Sequence, residues 1–170
     1  QGMKVSLLTI GTEITVGEIL NTNSQWLSER LEERGLDVIH HMTVPDQRDV
    51  ILSALDFISS SDILILTGGL GPTKDDMTRE VVAEWVNQPL EFSNDAWAFL
   101  CECMHKRGRT PKEAHRRQCQ FPKTAVLLKN TVGTAYGFIV ERGKNKIIVL
   151  PGPPRELQPM WESEVVPRIP

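Results

Sequence analysis

Apolar positions along this chain come in short blocks whose period changes from block to block. Residues 5–10 form a short apolar run, a candidate buried strand. Between 23 and 34, Trp26, Leu27 and Leu31 recur at a helical interval with charges between them, and Gly35 closes the segment as a glycine after a helix commonly does. Residues 38–44 are rich in β-formers. Residues 49–58 place Val50, Ile51, Ala54, Leu55 and Ile58 on one helical face. The run DILILT at 62–67 lacks polar alternation, which predicts a strand buried on both faces. The order β-α-β-α-β predicts a parallel sheet with helices on its faces.

Helical spacing returns at 77–86 and 94–106, the second ending near Gly108. The basic stretch 110–120 predicts another helix, with Pro111 suited to its first turn. Residues 124–128 predict a strand. Residues 138–141 and 146–150 predict a β-hairpin with the four-residue loop Arg142-Gly143-Lys144-Asn145, and residues 154–165 a short amphipathic helix. No repeat or linker interrupts the pattern, so residues 3–170 read as one domain, with Gln1-Gly2 a cloning remnant before Met3.

Composition narrows the class. The chain has 170 residues, 40% hydrophobic and 24% charged, with a formal net charge of −3. That balance suggests neither a nucleic-acid nor an anionic-membrane partner. No apolar run nears the ~20 residues of a membrane span. Strand-like sequence directly after Met3 argues against a signal peptide. The three cysteines, Cys101, Cys103 and Cys119, are odd in number and form no CxxC pair, which suits reduced thiols in a cytoplasmic protein. Cys101 and His105 stand four apart, but two soft ligands do not make a zinc site.

The candidate chemistry lies where the buried strand ends. Thr67 runs into Gly68-Gly69-Leu70-Gly71-Pro72-Thr73-Lys74-Asp75-Asp76, and a helix follows. Glycines let the backbone approach a ligand, and amides in such a turn form an anion site. Thr67 and Thr73 add hydroxyls and Lys74 a positive charge. Neither GxxxxGK[ST] nor GxGxxG is present. A tight turn with no ligand is the competing reading, since Gly, Pro and Thr all suit turns. A helix cap needs one acid, yet Asp75 and Asp76 adjoin the loop, and Glu80 follows Asp76 at i, i+4. Carboxylates beside a phosphate site usually hold Mg²⁺ or another hard divalent ion, so Asp75, Asp76 and Glu80 are the candidate metal ligands.

Other loops repeat the theme. Gly11-Thr12-Glu13 follows the first strand, Asn23 has the character of a helix cap, and Asp46 follows the second strand. In a parallel sheet Glu13, Asp46 and the Asp75/Asp76 pair reach one edge, although turn or capping roles could explain each singly. The segment from Asn130 through Gly133, Thr134 and Tyr136 is a second small-residue loop, and Pro151-Gly152 opens the last helix, offering a further wall for a pocket.

The strings TGGLGPTKDDMTRE, NTVGTAYG, LPGPPREL and GTEITVGEILNTN resemble the N-terminal domain of CinA, the competence/damage-inducible protein family, within the molybdopterin-binding, molybdenum-cofactor-biosynthesis-like superfamily. The resemblance covers nearly the whole chain. It implies a three-layer α/β/α sandwich with a mostly parallel sheet and a small β extension, and a homodimer. It also implies metal-dependent hydrolysis of ADP-ribose to AMP and ribose 5-phosphate, with Mg²⁺, Mn²⁺ or Co²⁺ as cofactor. In cofactor-biosynthesis relatives the same pocket binds molybdopterin and supports its adenylylation; a non-catalytic nucleotide-binding module is the third reading. Asp76 matches the family's acid after GGxGP, and Asp46 the acid after the second strand. Where the family has GTAPG this chain has Gly133-Thr134-Ala135-Tyr136-Gly137, so Tyr136 either stacks on a base or replaces a loop proline. Full-length members carry a C-terminal amidohydrolase domain, which these residues do not include.

Overall fold

The computed structural model describes residues 2–11 and 14–170, with the side chains of 14–21 left aside. The chain builds β1 (Lys4–Ile10), α1 (Ile14–Glu33), β2 (Asp37–Val44), α2 (Arg48–Phe57), β3 (Ile63–Thr67) and α3 (Thr78–Trp85). Then come β4 (Leu90–Phe92), α4 (Asn94–Lys106), α5 (Glu113–Arg116), β5 (Gln120–Pro122), β6 (Val126–Leu128), β7 (Gly137–Arg142), β8 (Asn145–Leu150) and α6 (Pro154–Met160). Six strands form one sheet in the order β2-β1-β3-β8-β7-β6. The first four are parallel and the β8-β7-β6 end is antiparallel. A separate pair, β4-β5, is antiparallel.

Both sheet faces are covered, and the strand sequences show why. Leu8, Leu64, Leu66, Ile147 and Val149 pack on one face with Ile51, Leu55, Val82 and Leu100 of α2, α3 and α4. The alternate residues Leu7, Ile63, Ile65, Ile148 and Leu150 pack on the other with Leu27, Leu31 and Leu157 of α1 and α6. A period of two with both faces apolar gives the continuous hydrophobic runs of a buried parallel sheet. The expected α/β/α sandwich is thus observed. Among the described residues no helix is long and apolar enough to cross a membrane.

Several expected boundaries move. The first helix begins at Ile14 rather than near Asn23, so Asn23 is not a cap; it sits mid-helix, 1% exposed, and donates through Nδ2 to the carbonyl of Gly152 (2.7 Å). The stretch 110–120 is not one helix but the single turn α5, a 3₁₀ turn at Arg117–Cys119, and β5. The hairpin loop has two residues, because Arg142 pairs with Asn145 and both belong to strands; Gly143, at φ 55°, makes the tight turn possible. The terminal helix ends at Met160 and continues as a π turn and a 3₁₀ turn. The pair β4-β5 gave no sequence signal, since three-residue strands carry too few positions to show a period.

Burial pushes the Cys119 thiol up to about 11, chiefly by desolvation. Cys101 and Cys103 are only partly covered. A thiol-reactive dye is therefore expected to modify those two in the native protein, while Cys119 reacts only after unfolding, as counted by mass spectrometry with and without denaturant.

Candidate functional site

β1 lies between β2 and β3, with α1 packed on one face and α2 on the other, so the topology reverses at β1. Ligands in open α/β sheets bind beyond the carboxyl ends of the strands at such a point. Register brings those ends level: Ile10 pairs with Val44, Thr9 with Thr67, and Thr67 with Leu150. Gly11 N donates to Val44 O (2.9 Å) and Gly68 N to Leu150 O (3.1 Å), drawing the outgoing loops together.

These loops wall a cavity of about 760 Å³. Its floor and sides come from Gly11, the segment 68–73, Asp75 and Asp76, Gly133-Thr134-Ala135 and Pro151-Gly152-Pro153. Asp46 and Gln47 enter from the end of β2, and Arg107, Gln118, Arg155 and Glu156 complete the lining.

The glycine loop is shaped by close approach. Gly68 and Gly69 have φ of 99° and 72°; a Cβ at the first would overlap the Ile10 carbonyl oxygen and at the second Thr78 Oγ1. Thr78 holds the loop from below: its Oγ1 donates to Gly68 O (2.9 Å) and its N to Gly69 O (3.3 Å). Among the described residues, the amides of Gly69, Leu70 and Gly71 donate to no protein acceptor. Free amides in succession, beside a positive-φ turn and ahead of a helix start, make an anion-binding concavity.

The acids divide by role. Asp76 Oδ2 accepts from Thr73 N (3.0 Å) and Thr73 Oγ1 (2.7 Å), so one oxygen closes the loop. Asp75 and Asp76 both line the cavity. Asp76 precedes α3 rather than sharing its face with Glu80, because the helix starts at Thr78. Glu80 is outside the lining, its carboxylate 3.3 Å from Arg117 Nη2. Arg117 also donates to Thr73 O (2.8 Å), strapping the outer side of the loop. Among the described residues no three His, Cys, Asp or Glu side chains cluster as a metal cage. Asp46, Asp75 and Asp76 line the cavity as separate carboxylates, and a hard ion of the Mg²⁺ kind needs only one or two, completing its shell with water and substrate phosphates.

The other candidates fall into three groups. Gly11, Asp46, Gly68, Gly69, Gly71, Pro72, Thr73, Gly133, Thr134, Pro151 and Gly152 are on the wall. Thr67, in the sheet, and the exposed Lys74 are not, and Asn23 acts on the wall only through Gly152. Thr12 and Glu13 are outside the described residues. Tyr136 does not reach the cavity; it is 6% exposed and packs against Phe99 at 5.2 Å between ring centroids, so it serves the core instead of a base.

Arg107, Gln118, Arg155 and Glu156 are not among the individual site residues that the sequence names, although the basic run 106–117 has a phosphate clamp as its functional reading and the segment 150–157 a wall of the pocket. Arg107 ends α4 and donates to Val132 O (3.1 Å), tying a distant helix to the loop before β7. Asn130 organises that loop: Oδ1 accepts from the amides of Val132 (2.9 Å) and Gly133 (2.7 Å), while Nδ2 donates to Ala135 O (2.9 Å) and Glu156 Oε1 (2.8 Å). The Glu in LPGPPREL was a weak signal, because a Glu in a first turn is also a plain helix start.

Comparison with known proteins identifies the family and the fold. The family described as "Probable molybdopterin binding domain" matches residues 6–170. A competence-damage inducible protein of Clostridioides difficile is 44% identical over 166 residues, covering 97% of this chain and 40% of the relative. A CinA-like protein of Dictyoglomus thermophilum gives the same figures. The chain thus spans about two-fifths of the length of these relatives. Among solved structures, CinA of Thermoplasma acidophilum superposes with a TM-score of 0.87 at 32% identity, over 99% of both chains. The molybdopterin biosynthesis enzyme MoaB of Thermus thermophilus shares the fold, with a TM-score of 0.62 at 23% identity over 99% of this chain and 92% of that one.

A Cβ at Gly133 would overlap the Glu156 carboxylate, which Asn130 holds in place. Gly133→Ala is expected to cost about 1–3 kcal/mol, the usual range for overpacking. Urea denaturation measures it, and the cost should shrink in a Glu156→Ala background if this contact is the cause.

Proposed function

Because this chain belongs to the molybdopterin-binding domain family and matches CinA across its length, we propose that its cavity binds a phosphate-linked pterin or nucleotide and serves chemistry at a phosphoanhydride bond to AMP. The observation that carries this is the run of free amides at Gly69, Leu70 and Gly71 on the wall of a cavity at the sheet's switch point. The family description supports binding of molybdopterin, and in the pterin reading the protein also takes part in its adenylylation. The arginines at 107 and 155 suit a ligand with more than one negative charge.

A second reading is favoured by the acids on the wall. Here the substrate is ADP-ribose and the products are AMP and ribose 5-phosphate. The loop amides bind the diphosphate and fix it for in-line attack. Asp46, approaching from the neighbouring strand end, positions the attacking water. Asp75 and Asp76, with Asp46, would hold a divalent ion, whose charge would offset that developing on the phosphate oxygens. The binding of substrate rests on positioning and electrostatics rather than on a protein nucleophile.

The test is AMP release from ADP-ribose with Mg²⁺, Mn²⁺ or Co²⁺ against a chelator, run beside an assay with ATP and molybdopterin. Metal-dependent AMP establishes hydrolysis, and adenylylated pterin establishes transfer. AMP binding without turnover by either route would leave a binding module. A folded protein that binds neither AMP nor pterin would refute the site. In whichever assay turns over, Asp76→Ala is expected to lower the rate by about 10²-fold or more, on the scale of losing a major electrostatic stabiliser.

A further inference from the structure

Arg79 is the second residue of α3 and its side chain is completely buried, at 0% exposure. Its guanidinium donates only to backbone carbonyls: Leu70 O (2.8 Å), Gly71 O (3.0 Å) and Arg117 O (3.1 Å). Among the described residues no carboxylate forms an ion pair with it; Glu80 and Asp76 act on it only at a distance. A buried cation without a paired anion is costly to the fold, and satisfying it with neutral carbonyls recovers only part of that cost. Two of its three acceptors belong to the glycine loop, which places this unusual charge directly behind the amides that line the cavity.

The peptide plane explains what the arrangement does. In a trans peptide the C=O and the following N–H point in opposite directions. Thr78 engages the carbonyls of Gly68 and Gly69, and Arg79 engages that of Leu70. The three amides that follow those carbonyls, Gly69, Leu70 and Gly71, are therefore turned away from α3. These are the same three amides that have no acceptor among the described residues.

We infer that Arg79 is a positioning residue of the anion site: beside Thr78, which holds the two preceding carbonyls, and with Gln118 sharing the Leu70 carbonyl, it turns that carbonyl inward so that the Gly71 amide faces the ligand, and it supplies a buried positive charge that the bound phosphate neutralises from the other side. This deepens the proposed function and rests on its reading of the cavity. It makes phosphate affinity depend on a side chain that never touches the ligand. Desolvation lowers the guanidinium to about 10, still far above neutrality, so the charge is present under ordinary conditions. Lysine would keep the charge but cannot fork to three carbonyls, so it should not substitute fully.

The experiment compares AMP with adenosine by calorimetry in the wild-type protein and in Arg79→Lys. The expected result is a loss of AMP affinity of about tenfold or more, with adenosine affinity within about twofold of wild type, because only the phosphate meets the loop. Equal losses for both ligands would make Arg79 a general structural residue and overturn the inference, as would an unchanged AMP affinity. If Arg79→Lys does not fold, the wild-type protein still decides. The ¹⁵N resonance of Arg79 Nε and the Gly69, Leu70 and Gly71 amides should shift on AMP addition and stay in place on adenosine addition. An Arg79 signal indifferent to AMP while the amides move would overturn the inference. A wild-type protein that binds neither AMP nor adenosine, with no amide shifts, would instead refute the nucleotide reading beneath it.

Discussion

The chain leaving β3 passes so close to the end of β1 that no side chain fits between them. Gly68 sits over the Ile10 carbonyl, and Gly152, leaving β8, packs within 3.7 Å of the Gly68 Cα when a Cβ is placed on it. Three loops from three parallel strands therefore meet almost backbone to backbone. This follows from the register, which finishes Thr9, Thr67 and Leu150 level with one another. Apolar burial on both faces sets that register, because a shift of one residue would reverse which residues meet which helices. The core and the cavity are thus two ends of one constraint.

Polar organisation is layered outward from that junction. Thr78 and Arg79 hold the inner side of the glycine loop, Asp76 closes it through Thr73, and Arg117 straps its outer side. On the opposite wall Asn130 does comparable work with one side chain, turning the amides of Val132 and Gly133 and orienting Glu156. Asn23 braces the third loop through Gly152. Each loop carries small residues where backbones must approach, and each is stabilised by a polar side chain from elsewhere in the fold. That division suits a site whose ligand is gripped by main-chain groups: the groups that bind stay fixed in number, while the side chains that aim them are spread over distant segments.

The sequence by itself determined the sheet and the principal loops. DILILT and the run before Gly11 are apolar at both parities, and only a strand covered on both faces satisfies that pattern. The glycine-rich string reads as a tight turn, since Gly, Pro and Thr all suit turns. Those are local properties, carried by neighbours in the chain, and so are the positions of Asp46, Asp75 and Asp76 at strand ends. What the tertiary structure decided depends on partners far apart in sequence. Asn23 looks like a helix cap until Gly152, 129 residues away, is seen to accept from it. Tyr136 sits in a loop among wall residues, yet Phe99 draws its ring into the core. Glu80 has the spacing of a ligand to Asp76, but Arg117 claims its carboxylate. Nothing in the local sequence marks Arg79, and only the fold brings the carbonyls of Leu70, Gly71 and Arg117 to it. A polar side chain's role is set by whichever partner lies within about 3 Å, and local spacing cannot name that partner.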